Sequence, residues 1–166
     1  MKEVVVQKYG GSSVANPARI RRVSRRIAET VRSGHPVVAV VSAMGHTTDR
    51  LIELAHKVAP SPPARELDML TANGETITAP LVAMCLQALG IPAISLTGLQ
   101  AGVRTSGHHS RARIQEIETQ RIKSELGAGR VWVVAGFHGA TEATEIACSG
   151  SGGIDAGRAR HTQAHS

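Results

Sequence analysis

Short apolar runs alternate along the chain with stretches in which apolar residues recur every three or four positions. The runs at residues 4–6, 37–41, 91–96 and 131–135 are mainly apolar rather than apolar at every second position. Runs of this kind, rich in valine and isoleucine, indicate strands that are buried on both faces of a parallel sheet. The pattern therefore predicts a sheet with four central strands.

The stretch after the first run predicts a helix that begins after Asn16 and ends at about Arg32. Apolar residues lie there at positions 20, 23, 27 and 31, which form one face of a helix. Asn16 is a favourable N-cap residue, and Pro17 suits the first helical position. Gly34 and the residues after it end the helix.

Three further helices follow from the same spacing. The first carries apolar residues at positions 51, 54, 55 and 58, and Thr47, Thr48 and Asp49 before it offer an N-cap. The second covers residues 64–89, and Gly74 and Pro80 predict that it is interrupted or kinked. The third covers residues 119–126, after an irregular polar region with a short strand near residue 114.

Alternation of strands and helices predicts an α/β fold around a mainly parallel sheet. The loops after the strands are rich in glycine, serine and threonine, and ligands of open parallel sheets bind at the carboxyl ends of strands. We expect residues 1–155 to form one domain. Residues 156–166 (AGRARHTQAHS) lack apolar periodicity and predict a disordered basic tail.

Composition restricts the setting of the protein. Aromatic residues make up 2% of the chain, so the core must be aliphatic, and no apolar run reaches the roughly 18 residues that span a membrane. Cys85 and Cys148 form no spaced cluster, which predicts a reduced, cytoplasmic setting. His108 and His109 do not complete a zinc-ligand spacing with them, so we predict no metal site formed by protein ligands.

The formal net charge of +6 has three interpretations. On a helix, Arg19, Arg22 and Arg26 share one face, and Arg21 and Arg25 share another. These arginines form either a solvated surface, a site for an anionic metabolite or a nucleic-acid surface. The scarcity of stacking aromatic residues argues against single-stranded nucleic acid as a partner.

The loop after the first strand, KYGGSS at residues 8–13, has the chemistry of a phosphate site. Paired glycines let backbone N–H groups approach an anion, and Lys8 adds an ammonium charge. The N-terminus of the helix after Asn16 points its positive dipole to the same region. A tight strand-to-helix turn with a surface lysine is the alternative. Likewise, Thr47 could simply cap a helix and Glu75 could be solvated.

Five motifs in order carry a resemblance to a known family. They are KYGGSSV, VVSAMGHTTD, ELDMLTANGE, IPAISLTGLQAG and VVAGFHG. Together they resemble successive motifs of the aspartokinases, in the amino-acid-kinase superfamily. The likeness covers residues 3–155, and its most specific part is ARELDMLTANGE followed by LVAMCLQALGIPAISLTG.

The resemblance implies a three-layer α/β/α sandwich and an ATP-dependent phosphoryl transfer to the side-chain carboxylate of L-aspartate, which forms 4-phospho-L-aspartate. This reaction opens the pathway to lysine, threonine and methionine. Because two anions must meet, catalysis of such a transfer is mainly positioning and charge stabilisation. Mg²⁺ is expected to arrive with the nucleotide and to bridge its phosphates. Homo-oligomerisation stays open.

The resemblance also implies roles for individual residues. Lys8 is expected to neutralise charge on the transferred phosphoryl group, and Glu75 to pair with the substrate ammonium. The other nucleotide-side residues are Tyr9, Gly10, Gly11, Ser12 and Ser42, and the other aspartate-side residues are Thr47, Gly152, Gly153 and Asp155.

The chain departs from the family near its end. Where the family carries Gly-Arg-Gly-Gly-Ser-Asp, residues 150–155 read GSGGID, so Ser151 replaces a clamping arginine and Ile154 a hydroxyl residue. Serine offers one neutral donor in place of a charged, bidentate one. We therefore expect an N-terminal part of a catalytic domain that is weakly active or inactive alone. A non-catalytic module that binds aspartate, phosphate or a partner subunit is the alternative.

Overall fold

The computed structural model describes residues 2–106, 114–118, 128–136, 138–140 and 146–148. Three helices and eight strands lie within these ranges. The helices are α1 (Pro17–Arg32), α2 (Thr47–Val58) and α3 (Ala64–Ala88). The strands are β1 (Val5–Tyr9), β2 (Val37–Val41), β3 (Ala93–Leu96), β4 (Val103–Thr105), β5 (Ile114–Ile117), β6 (Val131–Ala135), β7 (His138–Ala140) and β8 (Ile146–Cys148).

The main sheet contains the four strands that the apolar runs predict. Its order is β1-β2-β6-β3, and every neighbouring pair is parallel. Tyr9 pairs with Val41, and Val41 pairs with Ala135, so three strands end at one level. All five residues of β6 are buried, as expected for a strand covered on both faces. The predicted α/β class with a mainly parallel sheet is therefore confirmed.

Helix α1 begins where its capping residues predict. The side-chain oxygen of Asn16 accepts a hydrogen bond of 3.0 Å from the backbone N–H of Arg19, and Pro17 is the first helical residue. Its apolar face is buried through Ile20, Val23 and Ile27. The helix ends at Arg32, as the sequence predicts.

The two faces of the main sheet are covered differently. On one face, α1 and α3 pack on the sheet and share a core with it, in which Ile27, Val41 and Leu86 have no exposed surface. On the other face, Trp132 is fully buried among Leu96, Ala101 and Val134. The described residues thus form a helical layer on one face of the sheet. The other face is buried at β3 and β6, whereas Val6 of β1 is exposed.

Helix α3 corrects one prediction. The sequence predicts that the helix is interrupted or kinked near Gly74 and Pro80. The structure has no interruption, since α3 is one helix of 25 residues. Proline has no N–H, so Pro80 leaves the Thr76 carbonyl without its helical donor, but the turns on either side retain their bonds. Burial of the next turns, at Val82 and Leu86, holds the helix against the sheet.

The start of α2 corrects another. One alternative for Thr47 was that it caps this helix. Thr47 is instead the first helical residue, and His46 takes the cap position without a side-chain cap bond. The Thr47 hydroxyl instead donates a hydrogen bond of 2.7 Å to the Met44 carbonyl. Thr47 therefore closes the turn that leads into the helix.

A second sheet, in the order β5-β4-β7-β8, was not predicted apart from the strand near Ile114. Its strands have three or four residues each, too short for a clear period in the sequence. The predicted helix at 119–126 and the predicted tail at 156–166 lie outside the described residues. No helix in the described ranges is both long and apolar enough to cross a membrane.

Strand β1 forms one edge of the main sheet. Its only neighbour in that sheet, among the described residues, is β2. Two apolar side chains at or beside this edge strand are exposed to solvent, Val4 at 43% and Val6 at 65%. The edge therefore carries backbone hydrogen-bonding groups together with apolar surface.

Candidate functional site

The carboxyl ends of β1, β2 and β6 bring three loops to one edge of the main sheet. The backbone N–H of Ser42 donates to the Tyr9 carbonyl at 3.0 Å, and that of Gly136 donates to the Val41 carbonyl at 3.0 Å. These bonds extend the parallel register by one residue beyond each strand. The loops after β1 and β2, which hold Gly10, Gly11, Ser12 and Ser42 of the predicted site, are therefore neighbours.

The glycine loop, residues 10–14, passes from β1 into one turn of 3-10 helix at Gly11–Val14. The turn is closed by a 2.9 Å hydrogen bond from the Ser13 N–H to the Gly10 carbonyl. A side chain at Gly10 would meet no atom within 4 Å, so the space beside this backbone is open. An open backbone loop before the N-terminus of a long helix fits an anion such as a phosphate group.

Lys8, Ser12 and Ser42 lie around this loop. Lys8 is exposed in β1, one residue before its end, and Ser12 is exposed in the 3-10 turn. Ser42 is half-buried directly after β2, fixed by its hydrogen bond to the Tyr9 carbonyl. The predicted nucleotide-side residues of β1 and β2 thus lie on two hydrogen-bonded segments.

A basic cleft lies between β1 and α1, beside the glycine loop. Its volume is about 910 Å³. Glu29 is the one acidic residue among the side chains that line it. The cationic residues that line it are Lys8, Arg19, Arg22, Arg25 and Arg26. Arg25, which the helical spacing separated from Arg19 and Arg22, therefore shares the same cleft.

Tyr9 connects β1 to α1 through its side chain. Its hydroxyl donates a 2.8 Å hydrogen bond to Gln7 Oε1, and Gln7 Nε2 donates at 2.8 Å to the Thr30 hydroxyl. Burial raises the pKa of the Tyr9 hydroxyl above its usual value, and the charge of Arg26 opposes this shift. Tyr9 therefore contributes its carbonyl to the strand-end register and its hydroxyl to the packing of β1 on α1.

The close approach of α3 to the loop after β2 places Gly74, the residue before Glu75, beside Thr47. A β-carbon placed on Gly74 would lie 3.6 Å from Thr47 Cγ2 and 3.7 Å from the Thr48 hydroxyl oxygen. Glu75, the next residue of α3, is only 4% exposed and has a polar partner. The two predicted aspartate-side residues of the described part of the chain thus lie on segments that meet at Gly74.

The buried polar face of α3 includes a residue that the sequence analysis missed. Asp68 is 3% exposed, and it shares this face with Thr71, Glu75 and Thr78. The spacings of three, four and three residues were the available signal, because such spacings place side chains on one helical face. Carboxylates are rarely buried without partners, and Asp68 indeed has one.

Three predicted aspartate-side residues, Gly152, Gly153 and Asp155, lie outside the described residues. So does Ser151, at the position of the family's arginine. Within the described ranges, no group of three or more histidine, cysteine or acidic residues could hold a metal ion. We therefore assign no protein ligands to a metal.

Comparison with known proteins supports the motifs. The family model "Amino acid kinase family" matches residues 3–159. The aspartokinase of Mycobacterium bovis is 53% identical over 153 residues, which are 92% of this chain and 36% of that protein. That of Geobacillus stearothermophilus is 48% identical over 152 residues, with 92% and 37% covered. The chain spans little more than a third of the length of these relatives.

Solved structures give the same answer for the fold. Aspartate kinase from Synechocystis matches with a TM-score of 0.69 and 41% identity, over 82% of this chain and 22% of that one. Aspartokinase III of E. coli, in complex with aspartate and ADP, matches with a TM-score of 0.80 over 91% and 44%. At 19% identity, the second match supports the fold alone. With its sequence motifs, its parallel sheet and the family match in agreement, the chain belongs to the amino acid kinase family.

Proposed function

We propose that this chain is part of an aspartate kinase, which transfers the γ-phosphoryl group of ATP to the side-chain carboxylate of L-aspartate. The product is 4-phospho-L-aspartate, on the route to lysine, threonine and methionine, in the cytoplasm. Residues 1–155 would supply the N-terminal part of the catalytic domain, and residues 156–166 a tail outside it. The proposal is supported by aspartokinases of about half-identical sequence over 92% of the chain.

One observation carries the proposal: the glycine loop and the Thr47–Glu75 region are both anchored to the loop after β2. On one side, the Gly45 N–H donates a 3.0 Å hydrogen bond to the Gly11 carbonyl. On the other side, Gly74 lies directly against Thr47. The loop that would bind phosphate and the segment that carries the buried Glu75 are therefore attached to one loop, which supports a transfer between a nucleotide and an amino acid.

On the nucleotide side, Lys8 would offset the charge of the transferred phosphoryl group. The N–H groups of Gly10, Gly11 and Ser12 would donate to phosphate oxygens, with Tyr9 and Ser42 holding the adjacent backbone. The glycine loop fits phosphates because the space beside Gly10 is open and the neighbouring cleft is basic. Mg²⁺ carried by the nucleotide would supply further positive charge between the phosphates.

On the aspartate side, the Glu75 carboxylate would pair with the substrate ammonium. Its burial favours such pairing, since a charge–charge interaction is stronger away from water. Thr47 would contact the substrate from the loop after β2. Gly152, Gly153 and Asp155 complete the proposed set, and Ser151 would give the substrate carboxylate less charge compensation than arginine.

The test is a calorimetric titration of the chain with L-aspartate and with succinate. Succinate has both carboxylates of aspartate but no ammonium group. We expect Glu75→Gln to weaken L-aspartate binding by a factor of about ten or more, as for loss of a charged partner. Succinate binding should not weaken.

Glu66→Gln is the matched control, because Glu66 is an exposed residue of the same helix. This variant should bind L-aspartate as the parent chain does. Formation of aspartyl phosphate from ATP, trapped as the hydroxamate, then tests turnover directly. A parent chain that binds neither L-aspartate nor nucleotide would refute the proposal.

A second candidate function is a non-catalytic module that binds an acidic partner. The basic cleft favours it, because four arginines and Lys8 face a single acidic residue there. Poly-L-glutamate is a suitable probe, and its binding should weaken steeply with salt. Arg22→Gln should reduce this binding, whereas Arg21→Gln, outside the cleft lining, should not. Polymer binding without L-aspartate binding would favour the module over the kinase.

A further inference from the structure

Ala43 lies between two glycines that belong to different parts of the proposed site. Gly11 lies in the glycine loop, and Gly74 precedes Glu75 in α3. A β-carbon on Gly11 would lie 2.8 Å from the Ala43 carbonyl oxygen, and one on Gly74 would lie 2.8 Å from the Ala43 β-carbon. Real β-carbons essentially never show contacts below 3.0 Å. Both glycines therefore approach Ala43 more closely than any larger residue could.

The position of Ala43 is itself well fixed. It is 6% exposed and lies in the first turn beyond β2. Before it, the Ser42 N–H bonds to the Tyr9 carbonyl, and after it, the Gly45 N–H bonds to the Gly11 carbonyl, each at 3.0 Å. Two hydrogen bonds, one to the end of β1 and one to the glycine loop, thus hold the backbone around Ala43.

Backbone conformation does not explain the two glycines. The described glycines with positive φ are Gly34, Gly45, Gly90, Gly102 and Gly129, so neither Gly11 nor Gly74 needs a left-handed conformation. Glycine in a helix interior costs about 1 kcal/mol relative to alanine. Gly74 bears this cost inside α3, and the close approach to Ala43 is the feature that requires it.

We propose that Ala43 is a common spacer, against which Gly11 sets the glycine loop and Gly74 sets α3. Gly74 is then a positioning residue for L-aspartate, because it fixes the distance between Thr47 and Glu75. Gly11 is a positioning residue for the nucleotide phosphates. This inference rests on the proposed function and assigns each glycine to one of the two ligands.

Chemistry distinguishes the two contacts. Gly74 meets the Ala43 side chain, whereas Gly11 meets the Ala43 carbonyl, which every residue at position 43 retains. Ala43→Gly should therefore make room for a methyl group at position 74 but not for one at position 11. In Gly74→Ala alone, Ala43 keeps its β-carbon. Helix α3 must then move until the distance between the β-carbons of residues 43 and 74 rises from 2.8 Å to the 3.4 Å at which ordinary van der Waals contact begins.

The test is calorimetric titration of the full chain with L-aspartate and with Mg·ADP. Gly74→Ala should weaken L-aspartate binding about tenfold and leave Mg·ADP binding within about twofold. For comparison, a small misplacement of a reacting group lowers a reaction rate by up to roughly a hundredfold. The double variant Gly74→Ala with Ala43→Gly should recover at least half of the lost binding free energy. Gly11→Ala should weaken Mg·ADP instead, and Ala43→Gly should not restore it.

A purely structural role predicts a different result. Gly74→Ala would then lower both affinities together, or lower only the stability, which the fluorescence of the single, buried Trp132 reports. Either outcome overturns the inference, as does failure of Ala43→Gly to restore L-aspartate binding. If Gly74→Ala does not fold, Ala43→Gly alone carries the test: it opens a gap on the α3 side, so only L-aspartate binding should weaken. A parent chain that binds neither ligand refutes the proposed function and the inference with it, whereas ligand binding without this selectivity refutes only the inference.

Discussion

Arg19 Nη1 donates a hydrogen bond of 2.6 Å to the carbonyl oxygen of Ser12. Arg19 lies in the first turn of α1, and Ser12 lies in the glycine loop, so the bond ties the helix to the loop that precedes it. The same guanidinium group lines the basic cleft. A charge-assisted donor of this kind restricts the loop more than a neutral one would.

We therefore predict that Arg19→Met loosens the glycine loop. The amide of Ser13, which is bonded to the Gly10 carbonyl, should exchange its hydrogen faster in this variant. Mg·ADP binding should weaken by a factor of about two to ten, the equivalent of one hydrogen bond. Amide hydrogen exchange followed by NMR measures the first effect, and calorimetry measures the second.

Arg21→Met is the control, because Arg21 belongs to the same helix but does not line the cleft. It removes the same charge and should leave the Ser13 amide unchanged. If both variants weaken Mg·ADP binding equally, net charge rather than the bond to Ser12 is responsible.

The second prediction concerns Tyr9, the only tyrosine of the chain. Its pKa is raised from 10.0 by burial, so the midpoint of the tyrosinate absorbance change should lie above pH 10 in the folded protein. The unfolded chain titrates at the ordinary value. The stabilisation by the buried, neutral hydroxyl is therefore complete below pH 10 and is lost as the pH rises through the raised pKa.

Ultraviolet titration of the folded and the urea-unfolded chain checks this prediction. Tyr9→Phe should abolish the absorbance change, and it should cost about 0.5–1.5 kcal/mol of unfolding free energy at neutral pH through the lost bond to Gln7. A tyrosinate transition at or below pH 10 in the folded protein would show that the hydroxyl is not buried.

How much the sequence predicts depends on how strongly local signals agree. The helix after Asn16 has a cap, a proline at the right position and four apolar residues in register, and its bounds are as predicted. The apolar runs identify all four strands of the main sheet for the same reason. Two of them differ in their bounds. Strand β3 begins at Ala93 rather than at residue 91, and β1 covers Val5–Tyr9 rather than residues 4–6.

Contacts distant in sequence were harder to predict. Of the two alternatives for α3, an interruption or a kink, the interruption was wrong, because packing on the sheet outweighs local propensity at Pro80. The second sheet was missed because strands of three residues carry no period. The sequence indicated Thr47 and Glu75 through motifs, and it signalled Asp68 only through its helical spacing from Thr71 and Glu75. The close contact between Ala43 and Gly74 follows only from how α3 lies against the loop after β2.

The third prediction uses Pro80. Pro80→Ala restores a helical N–H that can donate to the Thr76 carbonyl, and alanine is about 3 kcal/mol more favourable than proline in a helix interior. The freer unfolded chain and the lost ring contacts offset part of this gain. We expect the free energy of unfolding to rise by about 1–2 kcal/mol, measured by urea denaturation.

Pro62→Ala serves as the matched control, since Pro62 lies just before α3. This substitution restores no helical hydrogen bond and should be neutral or slightly destabilising. A Pro80→Ala variant that is less stable than the parent would show that packing of the proline ring outweighs the missing hydrogen bond.

The fourth prediction follows from the exposed edge of β1. Among the described residues β1 pairs on one side only, with β2, and Val4 and Val6 are exposed at this edge. An open strand edge of this kind is a template for a strand of another molecule. Val6→Lys should reduce association in sedimentation velocity, because charges on edge strands oppose such pairing. Val58→Lys replaces an exposed valine at the end of α2, away from the edge, and should leave association unchanged.

Pairing through this edge would also make protein concentration a thermodynamic variable. Association of folded chains through β1 would draw the folding equilibrium toward the native state by mass action, so the apparent melting temperature would rise as the chain becomes more concentrated. Stability values obtained at calorimetric and at fluorescence concentrations would then differ for the same molecule. Differences between variants are best measured over a dilution series, where the part due to self-association can be separated from the part that belongs to the single chain.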